Sequence, residues 1–249
     1  MSKKNQVGVY GLGRFGRFWA GCIAEKGFDV VGCSRKAVDL PPNVRQVSVE
    51  EVLASPTIFY CVSISVFEEV LTESLPYLQE GSLIMDTCSV KLYPAHVMKR
   101  LLPSGVQAIA THPMFGPDSG KNGIEGLPFV MDNISASEEV YRWWLDEFTS
   151  WKMEVLEMSC DQHDREAAWS QGITHFIGRT LAELNLGSTR LATKGYQTLM
   201  HVVEQTCNDP IQLFYDLQHY NPYTKQMRMS MRGALDTTME ALKKQEDIL

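Results

Sequence analysis

The sequence lacks the residue groupings that bind metals. It has no CxxC pair, and no cluster of Cys, His, Asp and Glu has the spacing of metal ligands. Most of its cysteines lie within apolar runs, which is typical of free buried thiols in a reducing compartment. The six are Cys22, Cys33, Cys61, Cys88, Cys160 and Cys207. We therefore predict no metal site.

An excess of positive charge and long apolar runs are also missing. The chain has 23 Lys and Arg against 30 Asp and Glu, a formal net charge of -7. An acidic surface repels the phosphate backbone of nucleic acids. No apolar run is long enough to span a membrane, and the N-terminal MSKKNQ lacks the pattern of a signal peptide. We expect a small-molecule substrate and no nucleic-acid or membrane partner. We also expect a cytoplasmic location, or an organellar one for a mature protein whose targeting segment is absent.

The first half of the 249-residue chain alternates short apolar runs with helical patterns. Continuous apolar strands separated by helices indicate a parallel sheet covered on both faces. The strand candidates are QVGVYG, FDVVGC, IFYCVS, SLIMDT and VQAIATH, then LPFVM and a segment near 153–156. We predict an α/β, Rossmann-type doubly wound domain over residues 1–158.

The second half has no convincing strand. Asp161 is the predicted N-cap of its first helix, and the tryptophans just before it, Trp143, Trp144 and Trp151, are predicted to seal the junction between two domains. Helical patterns cover residues 163–186, 189–207, 210–220 and 223–244. We predict a C-terminal all-helical domain over residues 159–249.

A GxGxxG pattern follows the first strand candidate and begins a helix-like segment, which is the context that a dinucleotide-binding turn requires. Gly11 would allow the tight turn, Gly13 the approach of a pyrophosphate, and Gly16 close packing of the helix on the sheet. The helix N-terminus would supply N–H groups and partial positive charge to the phosphates. The predicted cofactor-binding residues of this turn are Gly11, Leu12, Gly13, Arg14, Phe15 and Gly16.

The end of the second strand distinguishes the two nicotinamide cofactors. An NAD site usually has an acid about 20 residues after the glycines, which binds the ribose 2′-hydroxyl. Here the strand ends in Ser34, Arg35 and Lys36, and no acid occurs before Asp39. A hydroxyl and two cations would bind a 2′-phosphate that a carboxylate would repel. The sequence therefore favours NADP over NAD.

Two polar motifs stand where the fourth and fifth strands should end. They are DTCSVK at 86–91 and THPMFGP at 111–117. Open α/β sheets bind their ligands at the carboxyl ends of the strands. His112, beside the fixed backbone of Pro113, would face a nicotinamide there. Its near-neutral pKa suits it to accept a proton from an alcohol while hydride leaves the same carbon.

Together these motifs resemble those of the prephenate/arogenate dehydrogenases. The segments that carry the resemblance are GLGRFG, DTCSVK, THPMFGPDSG and HDREAAWSQGITHFIGRTL, in that order, from about Gln6 to Leu242. THPMFGPDSGKNG and TKGYQTLMHVVEQT look most like the plant-type arogenate dehydrogenases. The resemblance implies oxidative decarboxylation of arogenate to tyrosine, of prephenate to 4-hydroxyphenylpyruvate, or of both, in tyrosine biosynthesis.

The resemblance also implies roles for individual residues. His112 matches the catalytic histidine that hydrogen-bonds the ring hydroxyl, and Ser89 matches the serine that positions this hydroxyl and the nicotinamide. His175 matches a histidine that faces the substrate. Thr193 and Lys194 are expected to bind substrate, because they occupy the place of a Thr-Arg pair whose arginine binds a substrate carboxylate. Lysine lacks the bidentate fork of arginine.

Further expectations concern the neighbouring residues and the assembly. Arg190, one helical turn before Lys194, could share the binding of the carboxylate. His163 and Asp164 are predicted to cap and orient a helix and not to contact substrate. The helical domain has more helices than a small core can bury on both sides, and the family pairs these domains, so we predict a homodimer with the long final helix at its interface.

Two other functions remain open from the sequence. Another two-domain NADP-dependent dehydrogenase, acting on a hydroxy acid or an imine, would commonly use a lysine in the helical domain where this chain has a His-Pro motif. A non-catalytic NADP-binding sensor would keep the fold, but the presence of both Ser89 and His112 argues against it. Prephenate and arogenate are not distinguished, although an acid near the substrate's amine, such as Glu204 or Asp209, would favour arogenate.

Overall fold

A computed structural model describes residues 5–246, which form two compact units. The first unit ends at His163 and the second begins at Asp164. The boundary predicted from the sequence, between residues 158 and 159, lies five residues earlier in the chain.

The first unit is built on one eight-stranded sheet in the order β3-β2-β1-β4-β5-β6-β7-β8. All neighbouring strands are parallel except β6 and β7, which are antiparallel. The strands are β1 Gln6–Tyr10, β2 Asp29–Cys33, β3 Val44–Gln46, β4 Thr57–Tyr60, β5 Leu83–Asp86, β6 Gln107–Pro113, β7 Pro128–Asn133 and β8 Glu154–Glu157. The order reverses between β1 and β4, where sheets of this type bind nucleotides. The predicted doubly wound α/β fold is confirmed.

Helices connect the strands and cover the sheet. They are α1 Arg14–Glu25, α2 Val49–Leu53, α3 Ile64–Ser74, α4 Leu92–Leu101 and α5 Glu138–Ser150, with a 3₁₀ turn at Leu75–Tyr77. Serine side chains cap two of them: Ser48 accepts a hydrogen bond from the N–H of Glu51, and Ser137 from that of Val140. These caps satisfy N–H groups that the first turn of a helix leaves without partners.

The core of the first unit is rich in aromatic side chains, with Trp19 of α1 fully buried at its centre. Its ring lies 5.7 Å from that of Phe129 and 6.0 Å from that of Trp151, measured between centroids. Trp144 lies 5.8 Å from Phe59 of β4. The prediction that Trp144 and Trp151 seal a domain junction is therefore wrong, because both pack into the core of the first unit. Trp143 is 48% exposed.

Two features of the sheet were not predicted. β3 has only three residues at the sheet edge, and the side chain of Arg45 is exposed, so no apolar run marks this strand. The antiparallel pairing of β7 with β6 also escapes sequence patterning, since apolar content alone gives no strand direction.

The second unit is helical, as predicted. Its helices are α6 Cys160–Ala167, which contains the boundary, α7 Ile173–Ala182, α8 Lys194–Asn208, α9 Ile211–Tyr220 and α10 Thr224–Glu246. A π-helical turn, Ala168–Gly172, joins α6 to α7. Gln218 of α9 donates to the carbonyl of Gly172 at 2.8 Å, which supports the widened turn just before α7, the helix that bears His175. Within residues 5–246, no helix is long and apolar enough to cross a membrane.

Two helix starts differ from the prediction. Ser159 caps α6 by accepting from the N–H of Gln162 at 3.2 Å, so Asp161 lies inside the first turn and is not the cap. α8 begins at Lys194, five residues later than predicted, because the hydroxyl of Thr193 accepts from the N–H of Tyr196 at 3.2 Å. Short polar side chains nearby compete for both cap positions, and patterning does not decide between them.

Candidate active site

The glycine turn after β1 is hydrogen-bonded to the end of β2. Gly11 has a φ of 103°, a region that favours glycine. The N–H groups of Gly11 and Leu12 both donate to the carbonyl of Cys33 at the end of β2, at 3.2 and 3.1 Å. A Cβ added to Gly16 would lie 1.9 Å from the carbonyl oxygen of Gly11, whereas one added to Gly13 would meet no atom within 4 Å. Gly16 thus lets α1 pack on the turn, and Gly13 leaves open space for a ligand.

The N-terminus of α1 fits a pyrophosphate. Its N-cap is Gly13, which has no side chain to bond the first N–H groups, and the first turn contains no acid. Helix N-termini of this kind attract anions. Arg14 forms an ion pair with Asp118, 2.6 Å between Nη2 and Oδ1, and both side chains are partly exposed.

The other two predicted residues of this turn pack against the protein. Leu12 is buried, and a Cβ on Gly32 would lie 2.7 Å from its Cδ2. The ring of Phe15 stacks on that of Trp19 at 6.4 Å. Both side chains therefore fix the turn on the sheet and on the core.

The predicted 2′-phosphate residues follow directly after β2. Arg35 and Lys36 are exposed, and Ser34 is partly exposed. The side-chain amide of Gln46 donates to the carbonyl oxygens of Ser34 and Lys36, at 3.4 and 2.9 Å. Its oxygen accepts from the N–H of Val38 at 3.3 Å. One side chain on β3 thus fixes the backbone of the turn and leaves its cations exposed to solvent.

A buried ion pair joins the ends of β5 and β6. Lys91 and Asp86 are both fully buried, and the ammonium contacts the carboxylate. The same ammonium contacts the carbonyl oxygen of Thr111. The carboxylate also accepts from the N–H of Cys88 at 3.1 Å and from that of Thr111 at 3.3 Å. The loop after β5 is therefore fixed to the residue that precedes His112.

Ser89 lies in this fixed loop, between Asp86 and Lys91. Its side chain is 5% exposed, and its hydroxyl has no hydrogen-bond partner among the described residues. A buried hydroxyl without a partner is costly by about 1–3 kcal/mol. A ligand that forms a hydrogen bond with the Ser89 hydroxyl would remove this cost.

His112 lies near the carboxyl end of β6 and is 3% exposed. Its Nδ1 is 2.8 Å from Nε2 of His163. Burial lowers the pKa of His112 well below 6.5, and the nearby His163 and Lys91 lower the pKa further. The imidazole is consequently neutral at physiological pH, the form that can accept a proton.

His163 was not predicted at this site. The sequence pattern suggested that it caps a helix, whereas Ser159 provides the cap and His163 contacts His112. The two histidines are 51 residues apart in sequence, so no local pattern reveals the contact. The only available signal was the position of a His-Asp pair in the first turns of a helix.

In the helical unit, His175 is buried just after the π-helical turn, and its Nδ1 has no partner among residues 5–246. Burial lowers the pKa of His175, and the charge of Arg179 adds to this shift, while Asp209 opposes it. His175 thus offers a neutral, unsatisfied ring nitrogen.

The other three predicted substrate-binding residues are exposed and lie within or next to the segment before α8. Arg190 and Lys194 are exposed, and the hydroxyl of Thr193 is engaged as the cap of α8. The structure therefore assigns Thr193 a structural contact that the sequence did not indicate. An open pocket of about 600 Å³ adjoins this segment. Its lining comprises Ser188, Thr189, Ala192, Tyr196, Gln197, Met200, His201, Val203 and Glu204.

Comparisons with known proteins point to one family. Residues 32–129 match the model of the prephenate dehydrogenase nucleotide-binding domain, and residues 180–248 match that of the TYRAAT1-like C-terminal domain. Arogenate dehydrogenase 1, chloroplastic, of Arabidopsis thaliana is 38% identical over 232 residues, which are 87% of this chain and 36% of that protein. Arogenate dehydrogenase 2, chloroplastic, of the same plant is 34% identical over 96% of this chain and 69% of its own length. The chain thus spans about a third of the first relative and about two thirds of the second.

Among solved structures, prephenate dehydrogenase from A. aeolicus in complex with hydroxyphenyl propionate and NAD+ has the same fold. The TM-score is 0.77, over 97% of this chain and 92% of that one, at 17% sequence identity. At this identity the likeness concerns the fold alone.

Proposed function

The chain belongs to the prephenate/arogenate dehydrogenase family, and from this we propose that it oxidatively decarboxylates arogenate, prephenate or both, with a nicotinamide cofactor. The substrate is a cyclohexadienol that carries a ring carboxylate and a 4-hydroxyl. Loss of hydride from C4 and of carbon dioxide from C1 makes the ring aromatic. For arogenate the product is tyrosine, and for prephenate it is 4-hydroxyphenylpyruvate.

The residues of the first unit divide the work of this reaction. His112 accepts the hydroxyl proton on the ring nitrogen that does not contact His163. A nicotinamide held at the glycine turn would take up the hydride from C4. Ser89 orients the hydroxyl through its otherwise unpartnered Oγ. The bond between C1 and the carboxylate then breaks, carbon dioxide leaves, and the electron pair of that bond passes into the ring to give a phenolate. His112 returns the proton to this phenolate. A well-placed general base contributes roughly 10²–10⁴ in rate.

The substrate carboxylates need cations, and the acidic chain must supply these locally. Lys194 and Arg190 are the proposed partners, at about 1.5–3 kcal/mol per charge-assisted hydrogen bond. His175 offers its unpartnered Nδ1 to the substrate. Of the two substrates we favour arogenate, since Glu204 lines the pocket beside α8 and a carboxylate suits an amine.

We propose NADP as the preferred cofactor. Ser34, Arg35 and Lys36 follow the strand at which NAD enzymes have an acid. Gln46 fixes their backbone and both cations face solvent. The two cations and the serine hydroxyl would bind the 2′-phosphate of NADP. They would not weaken the binding of NAD, which lacks this phosphate.

The exposed apolar side chains of α10 support a homodimer. Leu235, Met239 and Leu242 are each more than half exposed and recur at a helical period. Such a stripe is typical of a surface that another helix covers. A cytoplasmic location stays a prediction of the sequence.

The observation that carries the proposed function is the buried, neutral His112 at the end of β6, with one ring nitrogen engaged by His163. Steady-state kinetics with prephenate and arogenate, each with NADP and NAD, test it. We expect turnover of a cyclohexadienol, faster with arogenate and NADP, and none of simple hydroxy acids. Cofactor binding without turnover of either cyclohexadienol would support a sensor instead.

A further inference from the structure

The contact between His112 and His163 restricts which ring nitrogen of each histidine can carry a proton. Nδ1 of His112 and Nε2 of His163 are 2.8 Å apart, and both side chains are buried. At this distance one nitrogen must carry the proton and the other the lone pair. Only two arrangements of neutral rings satisfy this requirement.

The two arrangements differ in what His112 can do. If Nε2 of His163 donates, Nδ1 of His112 accepts, and the single ring proton of His112 is on its Nε2. This Nε2, which faces away from His163, then has no lone pair with which to accept a proton. If Nδ1 of His112 donates, its Nε2 carries the lone pair and can accept a proton. General-base catalysis by His112 therefore requires His163 to be the acceptor.

The position of His163 is fixed from two sides. Its N–H donates to the carbonyl of Ser159 at 2.9 Å in the first turn of α6. The N–H of Cys160 donates to the carboxylate of Asp132 at 2.8 Å, and Asp132 on β7 pairs in register with Ala110 on β6. The start of α6 is thus tied to β7, the strand that pairs with the one bearing His112.

We propose that His163 is a positioning residue. Its Nε2 accepts a hydrogen bond from the Nδ1–H of His112 and so holds His112 in the tautomer that can act as a base. This inference rests on the proposed function for its catalytic consequence. The tautomer itself is a property of the protein alone. His163 does not need to contact substrate or cofactor in this role.

Two substitutions separate this role from a packing role. His163→Gln places an amide oxygen near the original Nε2, where it can accept the same hydrogen bond but cannot take up a proton. His163→Leu keeps the apolar volume and removes the acceptor. His96→Leu, at an exposed position on α4, is the matched control for loss of a histidine.

We expect His163→Leu to lower kcat by roughly 10-fold to 10²-fold, part of the 10²–10⁴ that a general base contributes, with KM little changed. His163→Gln and His96→Leu should stay within a few-fold of the unsubstituted protein. Equal losses in His163→Gln and His163→Leu would overturn the acceptor role. So would a His163→Leu variant with unchanged kcat.

A second measurement does not depend on turnover or on any substitution of His163. Nitrogen-15 NMR of histidine-labelled protein reports which ring nitrogen carries the proton, and the signals of His112 are identified by their loss in His112→Asn. We expect His112 protonated on Nδ1 near neutral pH. A His112 protonated on Nε2 would overturn the proposal. The expected tautomer in a protein that turns over neither cyclohexadienol would contradict the proposed activity and leave the pairing intact.

Discussion

The ammonium of Lys91 contacts the carboxylate of Asp86 in the interior of the first unit, where neither side chain is exposed. Burial of two charges is tolerated because each satisfies the other and because Thr111 and Cys88 supply further hydrogen bonds. This pair ties the loop of Ser89 to the strand of His112. It therefore links the stability of the fold to the geometry of the site.

Substitution of Lys91 by methionine should destabilise the protein strongly. The variant leaves Asp86 buried without its cation, which typically costs about 3–5 kcal/mol. Urea unfolding measures the loss. Lys99→Met, at an exposed position on α4, is the control and should cost less than about 1 kcal/mol. Equal free energies of unfolding for the two variants would mean that the buried pair is not required.

Two glycines of the turn after β1 should respond differently to alanine. Gly16→Ala places a Cβ 1.9 Å from the carbonyl oxygen of Gly11, so the turn must shift, and both stability and cofactor affinity should fall. The Cβ of Gly13→Ala would have no protein atom within 4 Å, so the free energy of unfolding should change by less than about 1 kcal/mol. Its cofactor affinity should nevertheless drop, because the methyl occupies the approach of the pyrophosphate. Thermal unfolding and fluorescence titration distinguish the two, and normal cofactor binding by Gly13→Ala would contradict the placement.

Much of this fold follows from local patterns. The glycine turn, the buried strands and the helices of both units depend on apolar periodicity and on turn residues that stand close together in sequence, as with Gly11 and Gly16. The edge strand Val44–Gln46 and the direction of β7 depend on pairing between distant segments. Patterning carries no information about such pairing.

The site was predictable to a similar extent. His112 was identified from its place at a strand end and Ser89 from the family resemblance. Both are buried in the structure; the Ser89 hydroxyl has no partner among the described residues, and His112 is neutral. The prediction that His163 caps a helix was wrong, because its contact is with His112, 51 residues away in sequence. Thr193 was expected to bind substrate, but its hydroxyl caps α8.

Arg35→Ala should distinguish the cofactors. Loss of one charge-assisted hydrogen bond, about 1.5–3 kcal/mol, corresponds to roughly 10-fold to 10²-fold weaker NADP binding. The dissociation constant of NAD should be unchanged. Titration of both cofactors measures this, with Arg142→Ala on α5 as the control that should affect neither. Equal losses for NADP and NAD would count against a role in binding the 2′-phosphate.

Leu235→Glu on α10 should separate the proposed dimer. Light scattering at micromolar concentration should give about twice the 28.1 kDa of one chain for the unsubstituted protein. The mass should fall toward one chain for Leu235→Glu, because burial of a carboxylate in an apolar interface is costly. Lys243→Glu, which changes charge near the end of the same helix, should remain dimeric. A monomeric unsubstituted protein would remove the basis for this interface.

Turnover against pH tests most directly whether His112 is the general base. His112→Asn can still hydrogen-bond the hydroxyl but cannot accept its proton, so substrate binding should survive while kcat falls by roughly 10² or more. A base is active when neutral, and the lowered pKa of His112 therefore places the acid limb of the unsubstituted protein below about pH 6.5, the usual value for imidazole. His112→Asn should lack that limb, and Ser89→Ala should retain it with a smaller loss of kcat. A His112→Asn variant with near-normal turnover and an unchanged pH profile would contradict the assignment.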